Sequence, residues 1–166
     1  MESCRAVGAA SRRLLSASLL LCSFAAASDP PPLAPLTVCE ILADLPAHDG
    51  KNYAVLGRYS FRRDGRWIGE DACGNAAVNL TLSEDASAPK PPGEFGLDAA
   101  VLNKKFAEMV KHTVLGKFKF GTPDYDRWAV VFGRVEARKQ DDRSQKPAAD
   151  LVFRGSGVVI FLTTEK

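Results

Sequence analysis

An alternating stretch near the middle of the chain constrains the fold more than any other feature. Every second residue from Tyr53 to Phe61 belongs to one series, which consists of Tyr53, Val55, Gly57, Tyr59 and Phe61. An Asp64-Gly65 pair follows, and then a second short run that begins at Arg66. Period-2 patterning decides which face of a strand is buried, and Asp-Gly supplies the positive φ angles of tight turns. The stretch 53–74 therefore predicts a β-hairpin that ends beside Cys73.

The first 27 residues have the three parts of a secretory signal peptide. Three arginines precede an apolar run from Leu14 to Leu21, and a short run of alanines ends at Ala27. A basic region, an apolar region of about 7–15 residues and a small-residue cleavage site define such signals. The apolar run is shorter than the roughly 20 residues that span a bilayer. We therefore predict cleavage near Ala27 and a secreted or periplasmic protein, with retention of the segment as an anchor left open.

The rest of the chain divides into a leader and one domain. Residues 28–36 contain four prolines, which favour an extended spacer. Residues 37–166 suit a single domain of ordinary size. Cleavage removes three arginines and Glu2 from 22 basic and 20 acidic residues, which leaves 19 of each. The mature domain is formally neutral, and this disfavours nucleic acid as a partner.

Two cysteines, Cys39 and Cys73, remain after cleavage. In an oxidising compartment an isolated pair predicts a disulfide. A redox pair or two metal ligands are the alternatives. Neither cysteine lies in a C-x-x-C motif or has a histidine at ligand spacing, so a structural disulfide is favoured.

Further patterns predict the elements around the hairpin. Thr37 and Glu40 match a capping box, which predicts a short helix from Val38 to about Asp44. Strict alternation predicts a third strand from Ala76 to Leu82, and Asp98 is the predicted N-cap of a longer helix that reaches about His112. Strands are predicted at 114–120, 128–138, 151–154 and 157–162. The fold class is mostly β with some α, an α+β domain.

Two of the predicted strands share a pattern: an aromatic residue, then Ala-Val, and further on Gly-Arg. The glycines are Gly57 and Gly133. A glycine inside a strand marks a bulge, a bend or a close backbone approach. Two bent strands of this kind predict a small closed sheet.

The order of three strands, a helix and further strands resembles the OB-fold, a five-stranded barrel with a helix between its third and fourth strands. The stretch from Thr37 to Asn75 is also similar to exported bacterial proteins with a short Cys-Glu helix, an Asp-Gly-Lys entry into the first strand and a second cysteine after the hairpin. The resemblance implies a small OB-like barrel. It supplies no functional residues, because that group has no established activity.

The hairpin tip is the predicted ligand site. Arg62, Arg63 and Arg66 surround the turn, and Trp67 and Tyr59 are the aromatic residues beside them. Such a group can hold an anion or stack on a planar ligand. The alternative is a solvated tip whose tryptophan covers the edge of the core.

These features predict an exported, non-enzymatic binding or interaction module, with an envelope protein or a saccharide as the partner. No catalytic residue, metal site or cofactor is predicted. One alternative is a small hydrolase or thiol enzyme that uses Cys39 or Cys73 with a histidine. Another is a cation-binding envelope protein that uses Glu70 and Asp71, although two local carboxylates are few for a hard cation.

Overall fold

A computed structural model describes residues 31–74, 76–93, 95–116, 124–139 and 148–161. The predicted signal peptide lies outside these residues, as do parts of the predicted strands at 114–120 and 157–162. Within the described ranges, no helix combines the length and the apolar character needed to cross a membrane.

The chain forms six strands and three helices within the described residues. In chain order they are β1 Leu36–Thr37, α1 Val38–Ala43, α2 Leu45–His48, β2 Asn52–Arg62, β3 Gly65–Glu70, β4 Ala76–Leu82, α3 Ala99–Met109, β5 Tyr125–Ala137 and β6 Ala149–Phe161. The mostly β character predicted from the sequence is confirmed. The five strands of the OB-like barrel that the resemblance implies are one too few, because the two-residue strand β1 carries no alternation that would reveal it.

The strands form one sheet that closes partly into a ring. Its order is β1-β2-β3-β4-β6-β5, and β2 also pairs with β5. Strands β4 and β6 run parallel, while β2 is antiparallel to both β3 and β5. Each strand from β2 to β6 therefore has a hydrogen-bonded neighbour on both sides. Strand β1 joins the first half of β2 in parallel.

The predicted hairpin is formed by β2 and β3. Arg62 pairs with Gly65, so Arg63 and Asp64 form the two-residue connection. This turn lies one residue earlier than the Asp64-Gly65 pair suggested. Gly65 then opens β3 with a φ of 150°, a value that favours glycine.

Strands β2 and β5 bury both of their faces. One face joins a core inside the ring, whose largest members are Tyr59, Ile41, Ile68, Leu151 and Phe153. The other face packs under α3 and nearby loop residues, in a second cluster that contains Leu56, Met109, Trp128, Val130 and Phe132. The near-continuous apolar runs of these strands follow from this double burial.

Helix α1 is anchored to the sheet as its sequence predicts. The Thr37 amide donates to the Glu40 carboxylate at 2.7 Å, and the Glu40 amide donates to the Thr37 hydroxyl at 3.2 Å, which confirms the capping box. Val38 and Ile41 of this helix are buried in the inner core. Cys39 is bonded to Cys73, with their Cα atoms 5.8 Å apart, so the predicted disulfide is confirmed.

Part of the predicted leader belongs to the folded unit. Leu33 forms a parallel bridge with Leu97, and its amide donates to the Gly96 carbonyl at 2.8 Å. Leu36 lies in β1 and packs against the inner core. These apolar side chains interrupt the proline run and attach it to the domain.

Several element boundaries differ from the predictions. Helix α3 has the predicted N-cap at Asp98 but ends at Met109, and Val110 is exposed instead of extending the apolar stripe. Residues 114–116 are not in a strand. The two short strands predicted at 151–154 and 157–162 are parts of one strand, β6.

Gly133 allows two backbones to approach closely. A Cβ atom built on it would lie 2.6 Å from the Val152 carbonyl oxygen, and the β5–β6 register shifts at this point. We expect Gly133→Ala to lower the free energy of unfolding by about 1–3 kcal/mol, because backbone has to move to admit a methyl group. Urea unfolding followed by circular dichroism measures this change.

Gly155→Ala is the matched control, since a Cβ there would be 3.6 Å from its nearest neighbour, Glu84 Oε1. Its effect is expected to stay within about 0.5 kcal/mol. Equal destabilisation by the two substitutions would contradict the close approach at Gly133.

The Cys39–Cys73 bond closes a loop of 34 residues in sequence separation. We expect Cys39→Ser to lower the free energy of unfolding by about 3–4 kcal/mol in oxidising buffer, because the unfolded chain regains loop entropy. Thermal unfolding with and without reductant is the measurement. A variant that unfolds at the same temperature as the oxidised wild type would show that the bond contributes nothing to stability.

Candidate functional site

The five predicted ligand residues do not lie on one surface. Tyr59 lines the inner core. Phe61, two residues further along β2, lies on the same face and pairs with Arg66, so Arg66 shares the face of Tyr59. Trp67 pairs with Ser60 on the opposite face, and Arg62 also lies on that face. Arg63 is exposed in the turn. The set is therefore divided between two faces of the hairpin, with Arg66 and Tyr59 on the inner one and Arg62 and Trp67 on the other.

Arg62 is held by partners within the protein. Its guanidinium donates to Asp126 Oδ1 at 2.7 Å and to the backbone carbonyls of Tyr125 and Phe61 at 2.7 and 2.9 Å. The Asp126 side chain is only 2% exposed, so this ion pair is shielded from water on one side. Arg62 therefore fastens the tip of β2 to the start of β5.

Asp126 is the centre of a small polar network. Besides Arg62, its carboxylate accepts from the Gly116 amide at 2.5 Å, and buried Ser60 lies beside it. Burial alone would raise the pKa of this carboxyl. The hydrogen bonds from Ser60, Gly116 and Arg62 outweigh burial and lower the Asp126 pKa below its ordinary value.

Three aromatic rings stack on the face that carries Arg66. Tyr125 lies between the other two, with ring centroids 6.0 Å from Tyr59 and 5.5 Å from Phe61 and interplanar angles of 15° and 17°. The pairing of β2 with β5 sets this arrangement, because Phe61 is directly opposite Tyr125. Tyr59 is buried, whereas Phe61 and Tyr125 are partly exposed. The stack thus runs from the inner core towards the surface.

Two arginines flank the stack. The guanidinium carbon of Arg66 lies 5.4 Å from the Phe61 ring centroid, and that of Arg127 lies 5.8 Å from the Tyr125 centroid. Both distances are in the range of cation–π contacts. Among the residues that the structure describes, neither guanidinium has a carboxylate within 4.0 Å. We call Tyr59, Phe61, Arg66, Tyr125 and Arg127 the arginine–aromatic cluster.

The cluster perturbs its own tyrosine. Burial raises the pKa of Tyr59, the neighbouring Tyr125 raises it further, and the positive charge of Arg66 offsets part of the increase. Tyr59 is therefore neutral at physiological pH. Its hydroxyl interacts with Arg66 and Tyr125 and carries no negative charge that would repel an anionic ligand.

Trp67 belongs to a different surface. It lies across from Asn79 on the outer face of β3 and β4 and is half-buried. The Asn79 amide donates to Asp150 Oδ1 at 2.6 Å, and Arg138 also binds the Asp150 carboxylate. Trp67 therefore adjoins a group of polar side chains that satisfy one another.

The residues of the two alternative functions are engaged in structural contacts. Both cysteines are consumed by the disulfide, so a thiol mechanism would require its reduction. Glu70 accepts from the Cys39 amide at 2.9 Å, and Asp71 pairs with Arg58 at 3.2 Å. No group of three or more histidine, cysteine, aspartate or glutamate side chains in the described part of the chain is arranged to hold a metal ion. Both alternatives stay predictions.

Comparison with known proteins gave no match, whether with protein-family models, curated protein sequences or solved structures.

Sequence reasoning missed Tyr125, Arg127 and the role of Phe61 in this site. The first two precede the predicted start of the strand at Trp128, and their link to the hairpin depends on which strands pair. The similarity between the stretches around Gly57 and Gly133 is the one pattern that relates these strands. It does not fix the register, so it could not place Tyr125 opposite Phe61.

The lowered pKa of Asp126 makes the stability of the protein depend on pH. The ionised carboxylate stabilises the fold above the unfolded pKa of about 3.9, and this contribution is lost as pH falls through the lower folded pKa. We expect Asp126→Asn to cost about 1–3 kcal/mol at pH 7, because Arg62 loses its charged partner. The variant is also expected to lose less stability than wild type between about pH 5 and pH 2.

Urea unfolding at a series of pH values measures both effects. The Asp150 pKa is also lowered, since hydrogen bonds from Arg138 and Asn79 outweigh burial, so part of the acid sensitivity should persist in the single variant. Asp64→Asn at the exposed tip controls for the change in net charge. Identical pH profiles of Asp126→Asn and wild type would contradict the assigned network.

Proposed function

We propose that this chain is an exported, non-enzymatic binding module with an OB-like barrel, and that it takes an acidic saccharide at the arginine–aromatic cluster. The observation that carries the proposal is the combination of a partly exposed ring stack with two guanidinium groups that lack carboxylate partners among the described residues. An oligosaccharide with carboxylate or sulfate groups offers both of the features that such a cluster would recognise.

The strand pairing supports the OB-like part of the proposal. Strands β2 to β6 follow one another around the ring in the order β2-β3-β4-β6-β5, and β5 pairs with β2. Along the chain, α3 comes between β4 and β5, which are the third and fourth of these five strands. OB-folds bind oligonucleotides and oligosaccharides with their second and third strands and the flanking loops. Arg66 lies on the second of these five strands, next to the loop that joins the first two. The fold supports a binding role by analogy alone.

The chemistry of the side chains supports an acidic saccharide. Guanidinium groups bind carboxylate and sulfate oxygens through paired hydrogen bonds, and an arginine without an internal carboxylate is available for such a ligand. A partly exposed aromatic ring packs against the C–H face of a sugar. A single-stranded nucleic acid would need a positively charged groove, and the balanced charge of the mature domain speaks against it.

The disulfide and the N-terminal sequence support export. Disulfides persist in oxidising compartments, and the first 27 residues have the composition of a secretory signal. In such a location a saccharide of an envelope or an extracellular matrix is an accessible partner.

The test uses trigalacturonate as the probe and the double variant Arg66→Gln/Arg127→Gln. We expect trigalacturonate to bind the wild type and the double variant to bind at least about tenfold more weakly, because each arginine loses a charged hydrogen bond. Titration calorimetry measures the affinity, and circular dichroism verifies that the variant is folded.

Lys51→Gln/Lys90→Gln is the matched control, because it removes two positive charges at exposed positions outside the cluster. This control should retain the wild-type affinity. An unchanged affinity in the arginine variant would place the site elsewhere, and absence of binding to the wild type would refute the saccharide proposal. Tighter binding of a thymidine octanucleotide than of trigalacturonate would replace it with nucleic-acid binding.

A further inference from the structure

A concave site lies between α3 and the α1–β3 region. The cleft has a volume of about 420 Å³. This is within the range of small-molecule sites, which is about 300–1,000 Å³. Val101, Met109 and Ala72 provide its apolar surface, and charged side chains of three elements surround it. Its residues are distinct from those of the arginine–aromatic cluster.

The two walls of the cleft carry opposite charge. Glu40 and Glu70 lie on the α1–β3 side, whereas Lys104, Lys105 and His112 lie on the α3 side together with Glu108. Lys105 Nζ contacts Glu40 Oε2 at 2.5 Å across the cleft, which neutralises one charge on each wall. Lys111 binds Glu108 at 2.7 Å. Glu70 and Lys104 are thus left as the charged groups without an ion-pair partner among the described residues.

Glu70 is the most unusual group in the cleft. It is 6% exposed, although buried carboxylates normally require full pairing. One of its oxygens, Oε2, accepts from the Cys39 amide at 2.9 Å at the start of α1. The described residues provide no side-chain donor to its second oxygen. A carboxylate held in this way at an apolar cleft is suited to receive an ammonium group.

We propose that this cleft binds a small zwitterion with an apolar body, that is, an apolar amino acid. Its ammonium group meets Glu70 on the α1–β3 wall, its carboxylate meets Lys104 on the α3 wall, and its side chain packs on Val101 and Met109. The cleft offers an acceptor for the ammonium group, a cation for the carboxylate and an apolar surface for the side chain, which are the three groups that such a ligand carries. This site goes beyond the proposed saccharide site and does not depend on it.

The test titrates the full mature chain with L-leucine and follows binding by calorimetry and by amide chemical shifts. N-acetyl-leucine lacks the ammonium group, and leucinamide lacks the carboxylate. We expect each analogue to bind at least about tenfold more weakly than leucine, because one charged contact is lost in each case. Absence of leucine binding at about 10 mM would refute the proposal. Equal affinity for leucine and leucinamide would also overturn it, since the ligand would then be a simple amine.

Two substitutions locate the site. Glu70→Gln should weaken leucine binding at least about tenfold. If this variant fails to fold because α1 loses its charged acceptor, Val101→Phe serves instead, since it fills the cleft and changes no charge. Val101→Phe should abolish binding of leucine, and retention of the wild-type affinity would place leucine elsewhere. The variant Arg66→Gln/Arg127→Gln should bind leucine as the wild type does, so failure of one proposed site is distinguishable from failure of the other.

Discussion

The antiparallel pairing of β2 with β5 is the interaction on which the rest of the structure depends. It runs from Asn52 opposite Arg134 to Phe61 opposite Tyr125 and closes the ring that β2, β3, β4, β6 and β5 form. The pairing gives β2 hydrogen-bonded neighbours along both edges, and β5 lies between β2 and β6. Neither of these two long strands is therefore an edge strand that could pair with another chain. The same pairing forms the inner core on one face and the surface beneath α3 on the other.

Side-chain alternation along this pairing also separates structural groups from candidate ligand groups. Arg62 and Asp126 lie on one face near the end of the pairing and neutralise each other. Phe61, Tyr125 and Arg127 lie on the opposite face, where rings stack and the guanidinium group has no carboxylate beside it among the described residues. A shift of one residue in the register would exchange these roles. The chemistry of the arginine–aromatic cluster is therefore a consequence of register and not of arginine content.

Local features were predictable from the sequence because they depend on neighbouring residues. The β2–β3 hairpin follows from alternation and a turn pair, and the caps at Thr37 and Asp98 follow from side chains that bond to amides within three residues. The disulfide followed from the count of cysteines. The five predicted ligand residues, in contrast, were chosen by their nearness along the chain. Period-2 alternation divides such a group between two faces of the sheet. The residues that contact the two halves of the group, Asp126 and Tyr125, are more than 60 residues from Arg62 along the chain.

Helix α1 shows how one short segment serves both the core and the proposed zwitterion site. Six residues are too few for a stable isolated helix, so its formation depends on tertiary contacts. The capping box, the disulfide and the Glu70 carboxylate all bind its first turn, while Val38 and Ile41 fill the inner core. Glu70 is consequently fixed in position by the same contact that orients α1. A group that is already ordered loses little entropy when a ligand binds. This favours Glu70 over the exposed Lys104 of α3 as the residue that sets the orientation of a ligand in the cleft.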